Sequence, residues 1–229
     1  STTLFNVGAT KANGRFMYHS MDAGTLRGSS GLWMYVGTGD YTRLTTKNAT
    51  IDNVLLGIRD KDFPYYRNVN TPDLADSLTK CSDTTNDATG SECPSTSDLG
   101  WVIHLEDSAK ITAEPTLSRG RVLFPVFKPT ESLNACTTGQ ALICNENAKC
   151  GTRSNLEISK NIPGATNLAC RIVGTGVLSK IIIFGDKLFA NIAGTADASS
   201  MQFDKNDLVS IKAGISEVES FRNSWRENY

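Results

Sequence analysis

The chain has 229 residues, 39% of them hydrophobic, which is enough to bury the core of one large domain. Its 23 basic and 24 acidic side chains give a formal net charge of -1 and are spread along the sequence, so no basic stripe is available to neutralise phosphates. We therefore expect no nucleic acid partner, and no membrane span, because no apolar run approaches the roughly 20 residues that cross a bilayer.

Short strands are predicted from the start of the chain. Nineteen glycines and many Thr, Ser and Asn residues separate short runs of Val, Ile, Leu and Phe, a mixture typical of strands joined by frequent turns. The run Gly31 to Tyr41 predicts an inner strand that a glycine-rich turn closes, and Ile51 to Arg59 predicts a second strand. The pattern favours an all-β fold in one domain, residues 1–229.

Residues 60–100 are predicted to be a loop-rich insertion in that domain. The sequence is polar here, and a proline at the first helical position with early acidic residues predicts one short helix over Thr71 to Leu78. Residues Cys81 to Cys93 enclose a polar segment that predicts a surface loop. The candidate contact sites are the aromatic loop of Phe63, Tyr65 and Tyr66 and the loop from Cys81 to Cys93, because recognition concentrates in loops on a rigid sheet and tyrosines give a large contact area at low entropic cost.

Two hairpins are predicted in the second half of the chain. Ile111 to Leu117 and Arg121 to Phe127 flank a turn in which Gly120 can supply the positive backbone angle of a tight hairpin. Lys180 to Phe184 and Lys187 to Ile192 are joined by the two residues Gly-Asp, a strong hairpin signal.

Tryptophans and prolines predict buried and irregular positions. Trp33 and Trp101 lie in apolar strands and are predicted to be core residues, whereas Trp225 near the end is predicted to be a packing anchor. Pro115 and Pro125 predict edge or irregular strand positions, because proline cannot donate a hydrogen bond to a sheet.

Six cysteines predict disulfides. Their spacing contains no Cys-x-x-Cys pair, which gives no support to a zinc ribbon or a redox motif. The polar loop between the first two predicts a local bond from Cys81 to Cys93, and the other four are expected to pair among themselves in an order that the spacing leaves open. Disulfides are typical of the periplasm and the cell exterior, so we expect an extracellular chain exported through the periplasm. The six are Cys81, Cys93, Cys136, Cys144, Cys150 and Cys170.

No catalytic residue or cofactor site is predicted. His19 and His104 are the two histidines, and the sequence has no Gly-x-Ser-x-Gly elbow, so a hydrolase triad has few ways to form. The Gly-Thr-Gly segments at 37–39 and 174–176 lack the third glycine of a dinucleotide fingerprint and are interpreted as turns. We expect no enzyme and no cofactor.

No metal site is predicted either. Acidic residues cluster at Asp83 and Asp87 and again at Asp204 and Asp207. Neither segment has the ligand spacing and sixth-position glycine of a calcium loop, so we expect no calcium requirement.

Several segments of the chain form a distinctive series when they are taken in order. They are Met34-Tyr-Val-Gly-Thr-Gly-Asp-Tyr41, Gly100-Trp-Val-Ile-His-Leu105, Ile111-Thr-Ala-Glu-Pro-Thr-Leu117, Gly120-Arg-Val-Leu-Phe-Pro-Val-Phe-Lys-Pro129, Cys136 and Ser224-Trp-Arg-Glu227. No single segment is sufficient alone, but the series, from about residue 31 to residue 229, resembles the PilC/PilY family of type IV pilus tip-associated adhesion and assembly proteins.

This resemblance implies a partial or modified β-propeller with long disulfide-stapled loops, corresponding to the C-terminal region of the family. It implies a function in pilus assembly and in adhesion to host cells or abiotic surfaces, with pilins or minor pilins as partners. The calcium loop known in some relatives has no match here, so calcium regulation is not transferred to this chain.

Two alternative functions remain open from the sequence. A quinoprotein-like propeller enzyme shares strand patterns with this family, but the chain lacks the Ala-x-Asp-x-x-Thr-Gly signature of its blades. The chain could instead be a structural subunit of an extracellular filament. Cofactor absorbance would identify the first, and periodic rather than terminal placement on native filaments would identify the second.

Overall fold

The computed structural model describes residues 5–65, 76–87, 91–130, 139–152, 170–185, 187–196, 202–204 and 208–212. These residues form sixteen β-strands and two short 3-10 turns, Tyr41–Arg43 and Leu78–Lys80, with no α-helix among them. None of the described residues belongs to a helix long and apolar enough to cross a bilayer. The all-β prediction is confirmed.

Part of the predicted helix at Thr71 to Leu78 lies outside the described residues. The rest of that segment is not α-helical, because Asp76–Ser77 is a strand and a 3-10 turn begins at Leu78. Trp225, Tyr66 and Cys136 also lie outside the described residues.

The first sheet contains five strands. Neighbouring strands are antiparallel except for one pair at the edge of the sheet, in which β6 (Cys81–Asp83) runs parallel to β7 (Gly100–His104). A short parallel pair, β1 (Phe5–Asn6) with β5 (Asp76–Ser77), lies apart from this sheet. The strands of the first sheet, in spatial order, are β2 (Asp22–Gly24), β3 (Leu32–Gly37), β4 (Val54–Asp60), β7 (Gly100–His104) and β6 (Cys81–Asp83). The two strands predicted at the start of the chain are thus inner strands of one sheet.

The second sheet contains nine strands and is antiparallel throughout. Its strands are β8 (Lys110–Ile111), β9 (Thr116–Ser118), β10 (Arg121–Lys128), β11 (Gln140–Asn147), β12 (Cys170–Leu178), β13 (Ile182–Phe184), β14 (Lys187–Ala196), β15 (Gln202–Asp204) and β16 (Leu208–Lys212). The main path of the sheet runs β15-β16-β14-β12-β11-β10-β8, while β13 pairs with β14 and β9 pairs with β10.

Both predicted hairpins are confirmed. Ser118 pairs with Arg121 across a two-residue turn, and Arg119 and Gly120 both have positive φ angles, 48° and 76°, as the turn of a tight hairpin requires. Phe184 pairs with Lys187, so that two residues also connect β13 to β14.

The strand predicted over Ile111 to Leu117 is divided into β8 and β9. Both pieces pair with β10, and Pro115 lies in the break between them. Pro125 is in the inner strand β10 opposite this break, where its carbonyl accepts a hydrogen bond from the Thr112 amide at 3.0 Å. Its position is irregular, as predicted, although the strand is not an edge.

The inner strands of the first sheet bury both of their faces. Alternate residues of β3 and β7 point into a core between the two sheets, where they meet residues of β10, while the intervening residues pack on the outer face of the first sheet. A third cluster covers the far face of the second sheet. The core between the sheets consists of Trp33, Tyr35, Leu55, Trp101, Ile103, Leu105, Ala109, Ile111, Val122, Phe124, Val126, Cys144 and Ala148.

Trp101 lies at the centre of this core. Its Nε1 donates a hydrogen bond to the Ala148 carbonyl at 3.0 Å, and the Tyr35 hydroxyl donates to the same oxygen at 3.0 Å. The indole packs directly on backbone, because a Cβ placed on Gly57 would be 2.3 Å from it and one on Gly151 would be 2.5 Å away. Trp33 and Trp101 are both buried, which confirms their predicted core positions.

The predicted bond from Cys81 to Cys93 is wrong. Cys93 is bonded to Cys150, and Cys144 to Cys170. Cys81 begins the edge strand β6, paired with Gly100, whereas the loop before β7 brings Cys93 to the turn after β11. The expectation that the last four cysteines pair among themselves holds for Cys144 with Cys170 and fails for Cys150.

Candidate functional site

The predicted contact loop lies on the surface, in the turn that follows β4. Tyr65 is 81% exposed and Phe63 is 43% exposed, and the peptide bond that joins Phe63 to Pro64 is cis. The turn is closed by a hydrogen bond from the Tyr65 amide to the Asp62 carbonyl at 2.7 Å. Both residues are placed where a partner can reach them, and their contact role stays a prediction.

A second exposed group was not identified from the sequence. It consists of Met17, Tyr18, His19 and Tyr41, and we call it the aromatic patch. Met17, Tyr18 and Tyr41 are exposed, and the His19 and Tyr41 rings pack edge to face with their centroids 5.3 Å apart. The segment that carries the first three runs beside the end of β3, because the Gly39 amide donates to the Phe16 carbonyl at 2.9 Å. The run Phe16-Met-Tyr-His in the sequence was the available signal, but it has no strand alternation.

Asp40 organises the turn next to the aromatic patch. One carboxylate oxygen accepts from the Thr42 hydroxyl at 2.6 Å and the Thr42 amide at 3.1 Å, and the Tyr18 hydroxyl donates to it at 3.3 Å. The other oxygen accepts from Arg43 Nε at 2.7 Å. The hydrogen bonds from Thr42 and Arg43 hold the pKa of Asp40 below its ordinary value, although burial acts in the opposite direction.

Lys110 fixes the loop that follows this turn. Its side chain is buried, and its ammonium donates to three backbone carbonyls: Leu44 at 3.0 Å, Thr46 at 2.8 Å and Ser108 at 2.8 Å. Burial lowers the pKa of Lys110 to about 8, against the opposing effect of the Asp40 carboxylate. A buried cation thus ties residues 44–46 to the turn before β8.

We expect Asp40→Asn to lower the free energy of unfolding by about 1–2 kcal/mol at pH 7, because an amide NH2 would face the Arg43 donor. The pKa of Asp40 is lowered in the folded state, so the stability it supplies is complete above the ordinary value of 3.8. That stability is lost as the pH falls through the folded-state pKa. Denaturant unfolding of both proteins should therefore show a difference at pH 7 that shrinks towards pH 2.

Glu92→Gln is the control for this change. Glu92 is exposed, and its carboxylate makes no hydrogen bond or ion pair within the described ranges, so its substitution should change stability by no more than about 0.5 kcal/mol. A difference between Asp40→Asn and the parent chain that is the same at pH 2 and pH 7 would contradict the assigned cause.

A small pocket opens beside the Asp40 turn. Its volume is about 200 Å³, and it lies between residues 11–14 and the loop that Lys110 fixes. Three cations and one carboxylate line it, Lys11, Arg43, Lys110 and Asp40. Its remaining polar lining consists of the side chains of Thr46, Asn48, Thr50 and Asn53.

The two histidines do not form a catalytic arrangement in the described part of the chain. His104 Nδ1 lies 2.6 Å from an Asp52 oxygen, and Arg15 is ion-paired with the same carboxylate. No hydroxyl or thiol of the described residues hydrogen-bonds to the other ring nitrogen of His104. Burial lowers the pKa of His19, with Glu114 acting in the opposite direction, so its ring is neutral at pH 7.

The carboxylates of Asp83 and Asp87 accept hydrogen bonds from other residues of their own loop. Asp83 accepts hydrogen bonds from Thr85, and Asp87 accepts from the Glu92 amide at 2.7 Å. The described residues contain no group of three His, Cys, Asp or Glu side chains placed to hold a metal ion. Asp207 lies outside the described residues, and Asp204 is in β15.

Comparisons with known proteins identify the fold. The chain matches no protein-family model and no curated protein sequence. Among solved structures it is similar to the C-terminal domain of PilY1 from Pseudomonas aeruginosa, with a TM-score of 0.51 and 11% sequence identity over 80% of this chain and 44% of that one. The chain therefore spans less than half of the solved domain. The likeness confirms the predicted fold class, an all-β, partial propeller-like domain with disulfide-held loops, and agrees with the family resemblance of the sequence.

Proposed function

We propose that this chain is the C-terminal, β-rich part of a type IV pilus tip-associated protein that promotes pilus assembly and attaches pili to host cells or other surfaces. The observation that carries the proposal is the likeness of fold to the PilY1 C-terminal domain over 80% of the chain. The ordered sequence motifs that resemble the PilC/PilY family also support it, because they are a feature of the sequence and not of the fold comparison. Its partners are pilins or minor pilins at the pilus tip.

The chain acts by binding and not by catalysis. Its exposed aromatic residues lie on turns held by two stacked sheets, an arrangement in which a rigid scaffold presents recognition loops. The two disulfides among the described residues support export to an oxidising compartment, since cytosolic proteins rarely keep such bonds. We therefore place the protein outside the cell, at the pilus or the cell surface.

The test compares strains that carry altered forms of this chain. We expect Phe63→Ala with Tyr65→Ala to leave folded protein but to reduce surface pili or attachment, because these two exposed side chains supply contact area and no core packing. Immunoblots after limited proteolysis would measure folded protein, electron microscopy would measure pili, and attachment assays would measure adhesion. An epitope label on the chain should appear at filament ends and not along their length.

Phe184→Ala is the matched control. Phe184 is 79% exposed at the β13–β14 turn, on the other sheet, so its loss should leave both pili and adhesion unchanged. Deletion of residues 81–93 is a poor test, because it removes β6 and the disulfide at Cys93. Normal pili and normal adhesion in a strain lacking the whole chain would end the proposal.

A further inference from the structure

We propose that the pocket beside the Asp40 turn binds an acidic sugar, with Arg43 and Lys11 holding its anionic group. The pocket and its lining residues carry this inference, and only its use as an attachment ligand rests on the proposed pilus function. An acidic sugar here means a saccharide with a carboxylate, such as a uronic acid residue.

The charges of the pocket favour an anion. Three cations and one carboxylate line it, and that carboxylate, Asp40, is already bonded to Thr42, Arg43 and Tyr18. Arg43 uses only Nε for this contact, and its two terminal nitrogens have no partner within the part of the chain that the structure describes. A guanidinium with both terminal nitrogens available matches the two oxygens of a carboxylate.

Lys11 provides a second cation at the pocket. The side chain is exposed, and its ammonium makes no hydrogen bond or ion pair with any residue in the described ranges. The Lys110 ammonium, in contrast, donates hydrogen bonds to three backbone carbonyls, so it contributes only its positive charge to the pocket. The charged donors available to an anionic group, among the described residues of the pocket, are therefore those of Lys11 and Arg43.

The rest of the lining favours a sugar over a bare anion. The Thr46 hydroxyl and the side-chain NH2 of Asn48 have no partner among the described residues and can hydrogen-bond to ligand hydroxyls. A saccharide carries several hydroxyl groups that can accept from these two donors, in addition to the carboxylate that Arg43 and Lys11 would hold.

The size of the pocket limits what enters it. About 200 Å³ is below the roughly 300–1,000 Å³ of pockets that hold drug-sized ligands, so one sugar residue fits and the remainder of a glycan would extend along the surface. Lys110 keeps one wall in place, because two of its three hydrogen bonds hold the backbone at Leu44 and Thr46. The pocket is therefore formed before the ligand arrives.

To test this proposal, the 229-residue chain would be titrated separately with five compounds at low salt. Saturation-transfer NMR would detect binding, and calorimetry would measure each dissociation constant. The compounds are glucuronic acid, glucuronic acid methyl ester, glucose, glutamate and inorganic phosphate. We expect glucuronic acid to bind at least tenfold more tightly than its methyl ester or glucose. Lys11→Gln and Arg43→Gln should each weaken this binding at least tenfold. Lys11→Gln is the more direct variant, because Lys11 holds no other part of the described structure.

Arg27→Gln is the control, because Arg27 is an exposed arginine outside the pocket. This variant should bind glucuronic acid as tightly as the parent chain does. The inference is overturned if glucuronic acid does not bind, if glutamate or phosphate binds as tightly, or if Arg27→Gln weakens binding as much as Lys11→Gln. These outcomes are separate from the pilus proposal, because a strain carrying Lys11→Gln should still assemble pili even where attachment to uronic acid surfaces is lost.

Discussion

Trp101→Ala is expected to lower the free energy of unfolding by about 3–5 kcal/mol, the range for removing a large buried aromatic side chain. The indole has no solvent exposure and fills the space between the two sheets, where it meets the Phe124 ring edge-on at 6.3 Å. Its removal leaves a cavity that Gly57 and Gly151 cannot fill, because they have no side chains. Urea unfolding followed by circular dichroism would measure the change.

Two further variants separate packing from hydrogen bonding at this position. Trp101→Phe keeps a ring but loses the hydrogen bond to the Ala148 carbonyl, which retains the bond from Tyr35, so we expect a smaller loss of about 1–2 kcal/mol. Tyr65→Ala removes an exposed aromatic side chain and should change stability by no more than about 0.5 kcal/mol. A loss for Trp101→Ala no larger than that for Tyr65→Ala would show that the two sheets are not packed as described.

Features that depend on a few neighbouring residues were predictable from the sequence. The turns at Gly120 and Gly185 were found because a tight hairpin needs a residue that tolerates positive φ, and both glycines have it. Trp33 and Trp101 were placed in the core because their strands are apolar, and the inner strands of the first sheet do bury both faces. Local chemistry was sufficient in each case.

Features that depend on distant residues were not predictable. The Lys110 ammonium is held by backbone carbonyls of residues 44, 46 and 108. Because every residue has a backbone carbonyl, the residue types do not indicate which carbonyls accept these hydrogen bonds. The aromatic patch requires the pairing of Phe16 with Gly39 beyond the end of β3. Such contacts arise from the path of the chain in the fold, so neither composition nor spacing indicates them.

The cysteines show the same limit and give the second prediction with a large effect. A polar loop between two nearby cysteines favoured a local bond, yet Cys93 is bonded to Cys150, 57 residues further along the chain. This bond connects the loop before β7 in the first sheet to the turn after β11 in the second. It therefore joins the two sheets at the same end as the contact between Trp101 and Ala148.

Cys93→Ser with Cys150→Ser is expected to lower the free energy of unfolding by about 4 kcal/mol, because a closed loop of this length removes that much conformational freedom from the unfolded chain. Each single substitution should cost about as much as the pair, since either one abolishes the bond. A reductant should destabilise the parent chain more than it destabilises the double variant, which has one bond fewer to lose. Peptide mapping without reduction decides the pairing directly: a peptide joining Cys93 to Cys150 supports the structure, whereas one joining Cys93 to Cys81 would restore the local bond and remove the covalent link between the sheets.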